Sequence, residues 1–162
     1  MKKVNETKRD REYLRALFFL GAHEKPIGPS KLSDLMGISR AGALQKNRRI
    51  EELGYGEYIP NEGLLLKENA VDSIKEDISK HHILEFFFSK TLDMDPEEAC
   101  REASNIESVV SSRLISKILK EFGDELECEC GSCIDPEKVS DPEELYDCHW
   151  YQKRFSILES NE

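Results

Sequence analysis

Apolar residues recur along this chain mostly at three- and four-residue intervals, the spacing that keeps side chains on one face of a helix. Tyr13, Leu14, Leu17, Phe18 and Leu20 predict a first helix over about 10–22. Pro26 and Gly28 punctuate the segment that follows. Pro29 suits the first position of a second helix, with Leu32, Leu35 and Met36 as core residues and Gly37 as its stop. Ser39 can cap a third helix by accepting a bond from an orphan backbone N–H. In that helix, SRAGALQKNRRIEELG, the residues Ala43, Leu44, Ile50 and Leu53 are spaced to bury a face, and Gly54 stands where a left-handed stop is wanted. Two short runs come next, Tyr58–Ile59 and Leu64–Leu66. The turn residues Pro60, Asn61 and Gly63 separate them, so they read as a two-stranded hairpin.

A helical period returns with Ala70, Ile74, Ile78, Ile83, Leu84, Phe87 and Phe88 and holds to about Leu92. Its stretch HHILEFFF is apolar on more than one side, which suits a helix buried all round or shared with a second subunit. Asp95, Pro96, Glu97 and Glu98 open another helix, expected to run to about Phe122 and to end at Gly123. Its expected buried stripe is Ala99, Ala103, Ile106, Val110, Leu114, Ile118 and Leu119. Asp141, Pro142 and Glu144 signal a last helix to about Phe155.

Two short helices joined by a tight glycine-containing turn, the second basic at its start, form a helix-turn-helix, and a hairpin directly after it is a wing. The fold class is therefore mainly α, and three segments follow. Residues 1–72 are expected to form a winged helix-turn-helix DNA-binding domain and 73–123 an all-helical dimerisation and metal-binding domain. Residues 124–162 are a Cys-rich tail with a terminal helix.

Charge sharpens this division. The chain of 162 residues has a net charge of −10. Residues 1–49, however, hold 12 Lys/Arg against 5 Asp/Glu, a net of +7, and residues 50–162 hold 11 against 28, a net of −17. A basic head on an acidic body is the asymmetry expected when only the head meets phosphate. The DNA-contacting set is taken as Ser39, Arg40, Ala41, Gly42, Gln45, Lys46, Arg48 and Arg49. Arg40 and Gln45 can read base edges, and Ser39, Lys46, Arg48 and Arg49 can hold phosphates. The wing turn is not basic and offers phosphate little. No apolar run approaches the roughly 20 residues of a membrane span, and the basic start MKKVNETKRDRE has no apolar segment after it. A cytoplasmic protein with no membrane partner is expected.

A reducing compartment turns attention to metal ligands. All five cysteines lie between Cys100 and Cys148. His81 and Glu85 are four apart and can hold one ion from one helix face, and Cys100, Ser104 and Glu107 share a face of the next helix. Cys128, Cys130 and Cys133, with Cys148 or His149 as a fourth ligand, can close a zinc site or hold an iron–sulfur cluster; free thiols or a redox disulfide are the alternative.

The ordered set of EYLRALFFL, SRAGALQKNRRIEELGY, KHHILEFFFSKTLDMDPEEACREASNIESVVSSRL and CECGSCI resembles the DtxR/MntR family of metal-dependent transcriptional repressors over about residues 10–136. The resemblance implies a homodimer that binds a palindromic operator when loaded with a divalent metal, Fe2+ or Mn2+. It implies one metal site at His81, Glu85 and Cys100, and another at Glu12, Ser104 (through its carbonyl) and Glu107. Three positions depart from the family pattern: Ser108 stands where a His is usual, Ser104 where Cys or Glu is common, and Cys100 where His is common. The second site is thereby reduced to two carboxylates and a carbonyl, and sensing is expected to have moved partly to the cysteine tail.

The leading expectation is an iron-responsive regulator rather than an enzyme. A metal-independent winged-helix regulator with a structural zinc is the first alternative. A small iron–sulfur or thiol redox protein is the second, although no cofactor-binding glycine loop and no nucleophile–His pair supports it. A protein–protein module is the third, and the +7 head argues against it.

Overall fold

A computed structural model describes residues 5–123, which divide into two compact units between Ile74 and Lys75. The order is α1 (Lys8–Phe19), α2 (Pro29–Met36), α3 (Arg40–Glu52), β1 (Gly56–Ile59), β2 (Gly63–Leu66), α4 (Glu68–Leu92), α5 (Pro96–Ile106) and α6 (Ser112–Phe122). The described part is thus mainly helical with one small hairpin. No described helix is long and apolar enough to cross a membrane.

In the first unit, α1 begins two residues before the expected start, because Thr7 and Asp10 form a capping box. The Asp10 N–H donates to the Thr7 hydroxyl at 3.2 Å, and the Thr7 N–H donates to Asp10 Oδ2 at 2.9 Å. Pro29 opens α2, and Gly37, at φ 62, closes it in the left-handed region. The Ser39 hydroxyl accepts from Gly42 N–H at 3.0 Å and so sets the start of α3. These two helices pack on each other and on α1, and α3 also rests on the hairpin. Tyr13, Leu14, Leu17, Phe18, Ile27, Leu32, Ala43, Ile50 and Leu64 are the buried centre. Each fully buried Leu, Ile or Phe contributes about 1.5–3 kcal/mol.

The hairpin pairs Gly56 with Leu66 and Ile59 with Gly63, and Ile27 adds a bridge to Leu64. Gly63 cannot be another residue here. Its φ is 126, and a Cβ would lie 2.2 Å from the carbonyl of Ile27. That close approach ties the helix-turn-helix to its wing.

The expected α3 face is corrected at Leu44, which is 39% exposed; Asn47, at 0%, takes the inward position instead. Asn47 sits four residues from Ala43 and three from Ile50, on their line. Its side-chain amide donates to the carbonyl of Ile27 at 3.4 Å.

In the second unit, α4 supplies Ile83 and Leu84, α5 Ala103, and α6 Ile115 and Ile118 to one apolar cluster, with Phe87, Phe88, Ile106, Val110 and Phe122 packed against it. The single helix expected over 96–122 is two helices. The chain leaves α5 after Ile106 and restarts at the N-cap Ser111, whose hydroxyl accepts from Leu114 N–H at 3.3 Å. The intervening Ser108-Val109-Val110-Ser111 explains the break, since β-branched residues and serines favour turns and caps over a helix interior. The break also rephases the stripe. Ile115 and Ile118 turn inward, and Leu114 and Leu119, expected to be buried, are 45% and 39% exposed. Residues 124–139 with Cys128, Cys130 and Cys133, and the expected last helix with Cys148 and His149, lie outside the described residues.

Candidate metal centre and nucleic-acid face

In the second unit the site is built on α4 and α5. His81 is 2% exposed, and its two ring nitrogens face different groups. Nδ1 lies 2.7 Å from Glu107 Oε2, at the C-terminal cap of α5, and Glu107 is itself 2% exposed. An ionised carboxylate only accepts, so Nδ1 carries the hydrogen and donates. That tautomer leaves Nε2 as the acceptor nitrogen, the form in which imidazole binds metals.

Two donors face that nitrogen. Cys100 Sγ is 3.5 Å from Nε2, and Glu85 Oε2 is 3.7 Å from it. With Nε2 as the acceptor, the Cys100 thiol is the donor of that contact. Ligand bonds of about 2.0–2.3 Å put neighbouring donors of a tetrahedral shell roughly 3.3–3.6 Å apart, so both spacings are near those of co-ligands. Among the described residues, no three His, Cys, Asp or Glu side chains are gathered into a complete ligand shell. The arrangement is two donor pairs sharing Nε2. Glu85, with a 21% exposed side chain, is the donor with room to move.

His82, which sequence reasoning missed, is fully buried beside this cluster. Its Nδ1 lies 3.6 Å from Glu85 Oε2, so the same carboxylate faces two imidazoles. His82 and His81 precede Glu85 by three and four residues, the two spacings that bring helix side chains together, so the signal for both lay in the spacing.

The set expected for a second site is distributed differently. Ser104 directs its hydroxyl to the carbonyl of Cys100 at 2.8 Å. Glu107 stands on the His81 ring, as above. Glu12 is half-buried on α1 of the first unit.

On the nucleic-acid face, α3 shows which basic residues point outward. Arg40, Ala41, Leu44, Gln45 and Arg48 are exposed. Arg48 stacks over the Tyr58 ring with 3.9 Å from guanidinium to centroid, and pairs with Glu51 at 3.1 Å. Lys46 lies 4.9 Å over the Tyr13 ring. Arg49 donates to the carbonyl of Asn5 at 2.7 Å and to Asp10 Oδ2 at 3.2 Å. Burial pushes the Asp10 carboxyl up, but Arg49 and Thr7 outweigh it and hold it below its ordinary value. A recess of about 440 Å3 on this mixed-charge flank is lined by Thr7, Asp10, Gln45, Lys46, Arg49 and Glu52. Lys46, Arg48 and Arg49 thus each also engage a neighbouring side chain or carbonyl of the same unit. Ser39 caps the helix, Gly42 donates to its hydroxyl, and Arg40 and Gln45 are exposed.

Comparison with known proteins follows the same division. Residues 71–136 match the family described as iron dependent repressor, metal binding and dimerisation domain. An uncharacterized HTH-type transcriptional regulator of Methanocaldococcus jannaschii is 25% identical over 108 residues, 66% of this chain and 86% of that protein. A hypothetical protein of Sulfolobus solfataricus has the same fold, with a TM-score of 0.71 at 18% identity over 80% of this chain and 99% of its own. The metal-dependent transcriptional regulator MtsR superposes with a TM-score of 0.62 at 22% identity over 80% of this chain, which spans 60% of MtsR's length. Residues 71–136 thus match an iron-dependent-repressor metal binding and dimerisation domain, and in the chain a helix-turn-helix with its hairpin precedes them.

Proposed function

We propose that this protein represses or activates transcription as a homodimer on a palindromic DNA operator, and that an Fe2+-like divalent ion bound at His81, Cys100 and Glu85 sets its affinity for that operator. The observation that carries this reading is the His81 ring. One nitrogen is fixed by a buried carboxylate at 2.7 Å, and the other faces a thiol and a second carboxylate at 3.5 and 3.7 Å. The donor set fits a divalent first-row metal. Thiolate and imidazole favour iron or zinc, and manganese binds most weakly in the general order. When bound, the ion supplies charge and a crosslink between α4 and α5. The chain's own residues do the rest: Glu107 orients His81, and Glu85 closes from the side with room to move. Arg40 and Gln45 on α3 read bases, and the neighbouring backbone and Ser39 hold phosphate.

The test is enrichment of a randomised duplex pool on anaerobically prepared protein with Fe2+, and again with a chelator. The reading expects a two-fold symmetric site, its half-sites about one helical turn apart, only in the metal arm. Equal enrichment in both arms, or none in either, would overturn it. The tail cysteines Cys128, Cys130, Cys133 and Cys148 are proposed as a second sensing element. Metal analysis and a visible spectrum of the same sample decide this, and the absence of both iron and zinc would remove it.

A further inference from the structure

Leu44 is the residue of α3 whose exposure the packing does not explain. It is 39% exposed, in the middle of a helix whose inner face is already filled by Ala43, Asn47 and Ile50. The residues sharing its outer strip, at i−4, i−3, i+1 and i+4, are Arg40, Ala41, Gln45 and Arg48, all exposed. This is the strip the proposed function sets against DNA, and the inference rests on that reading. A single exposed leucine on an ordinary surface needs no explanation. On a base-reading strip it does, because Arg40 and Gln45 beside it are suited to polar base edges and leucine is not.

In the major groove, the donors and acceptors of guanine, adenine and cytosine would lose water against a leucine and gain nothing. The one apolar feature there is the C5 methyl of thymine. Leu44 is one helical turn from Arg40 and adjacent to Gln45, the pair suited to guanine and adenine edges. We infer that Leu44 is a specificity-determining residue that recognises a thymine methyl at one position of each half-site, next to the purine read by Arg40 or Gln45.

The test uses the full chain with Fe2+ under anaerobic conditions and the site enriched from the random pool. Each thymine of the site is replaced in turn by deoxyuridine, which removes only the methyl. For the wild-type protein, one replacement per half-site should weaken binding about fourfold, the worth of burying one methyl. For Leu44→Ala the same replacement should cost nothing, and its affinity for the thymine site should already be lower. Leu44→Gln keeps a good helix former and should shift the preferred base at that position away from thymine. If deoxyuridine costs wild type and both variants the same at every position, the inference is overturned. If the wild-type chain enriches no site at all, the assignment of α3 to DNA fails first, and this inference with it.

Discussion

Replacing Glu107 by Ala tests whether this carboxylate holds a metal or holds His81. In the structure its Oε2 is 2.7 Å from His81 Nδ1, within the charge-assisted range, and both side chains are 2% exposed. Loss of such an outer carboxylate lets the ring choose the other tautomer and turn. Outer-shell partners of this kind are worth about 10–100-fold in metal affinity, or roughly 1.4–2.7 kcal/mol. The account therefore expects Glu107→Ala to lower affinity by that factor while the number of ions bound per chain stays the same. Glu107→Gln, whose amide oxygen can still accept from Nδ1, should recover most of the loss. The assay is a competitive titration against a chelating dye, with stoichiometry by metal analysis, and far-UV circular dichroism confirms folding. If one ion per chain disappears and the affinity of those remaining is unchanged, Glu107 is a ligand of a separate site and the reasoning is refuted.

Two other predictions follow from the same side chains. Cys100→His exchanges a thiolate for an imidazole, so the preference for Zn2+ over Mn2+ should fall at least tenfold and the thiolate charge-transfer absorption of the Co2+ form should vanish; an unchanged spectrum would show that Cys100 is not a ligand. Asp10→Asn breaks the pair to Arg49, and because Arg49 is 28% exposed and also bonded to Asn5, the expected loss is about 1–3 kcal/mol at pH 7, below the full cost of a fully buried pair. Since the folded pKa of Asp10 lies below its ordinary 3.8, its contribution is present above that value and lost as pH falls through the folded one. Urea midpoints of wild type and variant should therefore converge below pH 4, and midpoints that coincide already at pH 7 would contradict the assignment.

Local rules in the sequence were enough to read the caps and stops. Ser39, Gly37, Pro29, Asp95 and the hairpin turn each depend on chemistry within four residues, and each stands where that chemistry requires. The turn between α5 and α6 was missed because helical periodicity in 99–119 continues almost in phase across it, and only the Ser-Val-Val-Ser run marked the interruption. Leu44 was placed inward by hydrophobicity alone. Asn47 lies on the line of Ala43 and Ile50 and can be buried because its amide reaches the Ile27 carbonyl, a tertiary contact that spacing cannot carry. The same limit applies to charge. Arg48, Arg49 and Lys46 count toward a DNA-contacting set, and their added partners Tyr58, Asp10, Asn5 and Tyr13 come from other parts of the chain that spacing does not bring into view. At the candidate metal centre the helical spacing of His81 and Glu85 was legible. The i,i+3 spacing of His82 and Glu85 was equally legible, but the partnership of His81 with Glu107, 26 residues away, was not.

The central claim is that metal at the His81 cluster governs DNA affinity. The direct measurement is the dissociation constant for the enriched site, by fluorescence anisotropy under anaerobic conditions, with Fe2+ and with a chelator, for wild type and His81→Ala. The account predicts that chelation weakens wild-type binding within the roughly 5–150-fold span of allosteric couplings, and that His81→Ala binds weakly and equally in both conditions. Wild-type affinity indifferent to chelation, or a metal response that survives His81→Ala, would contradict it.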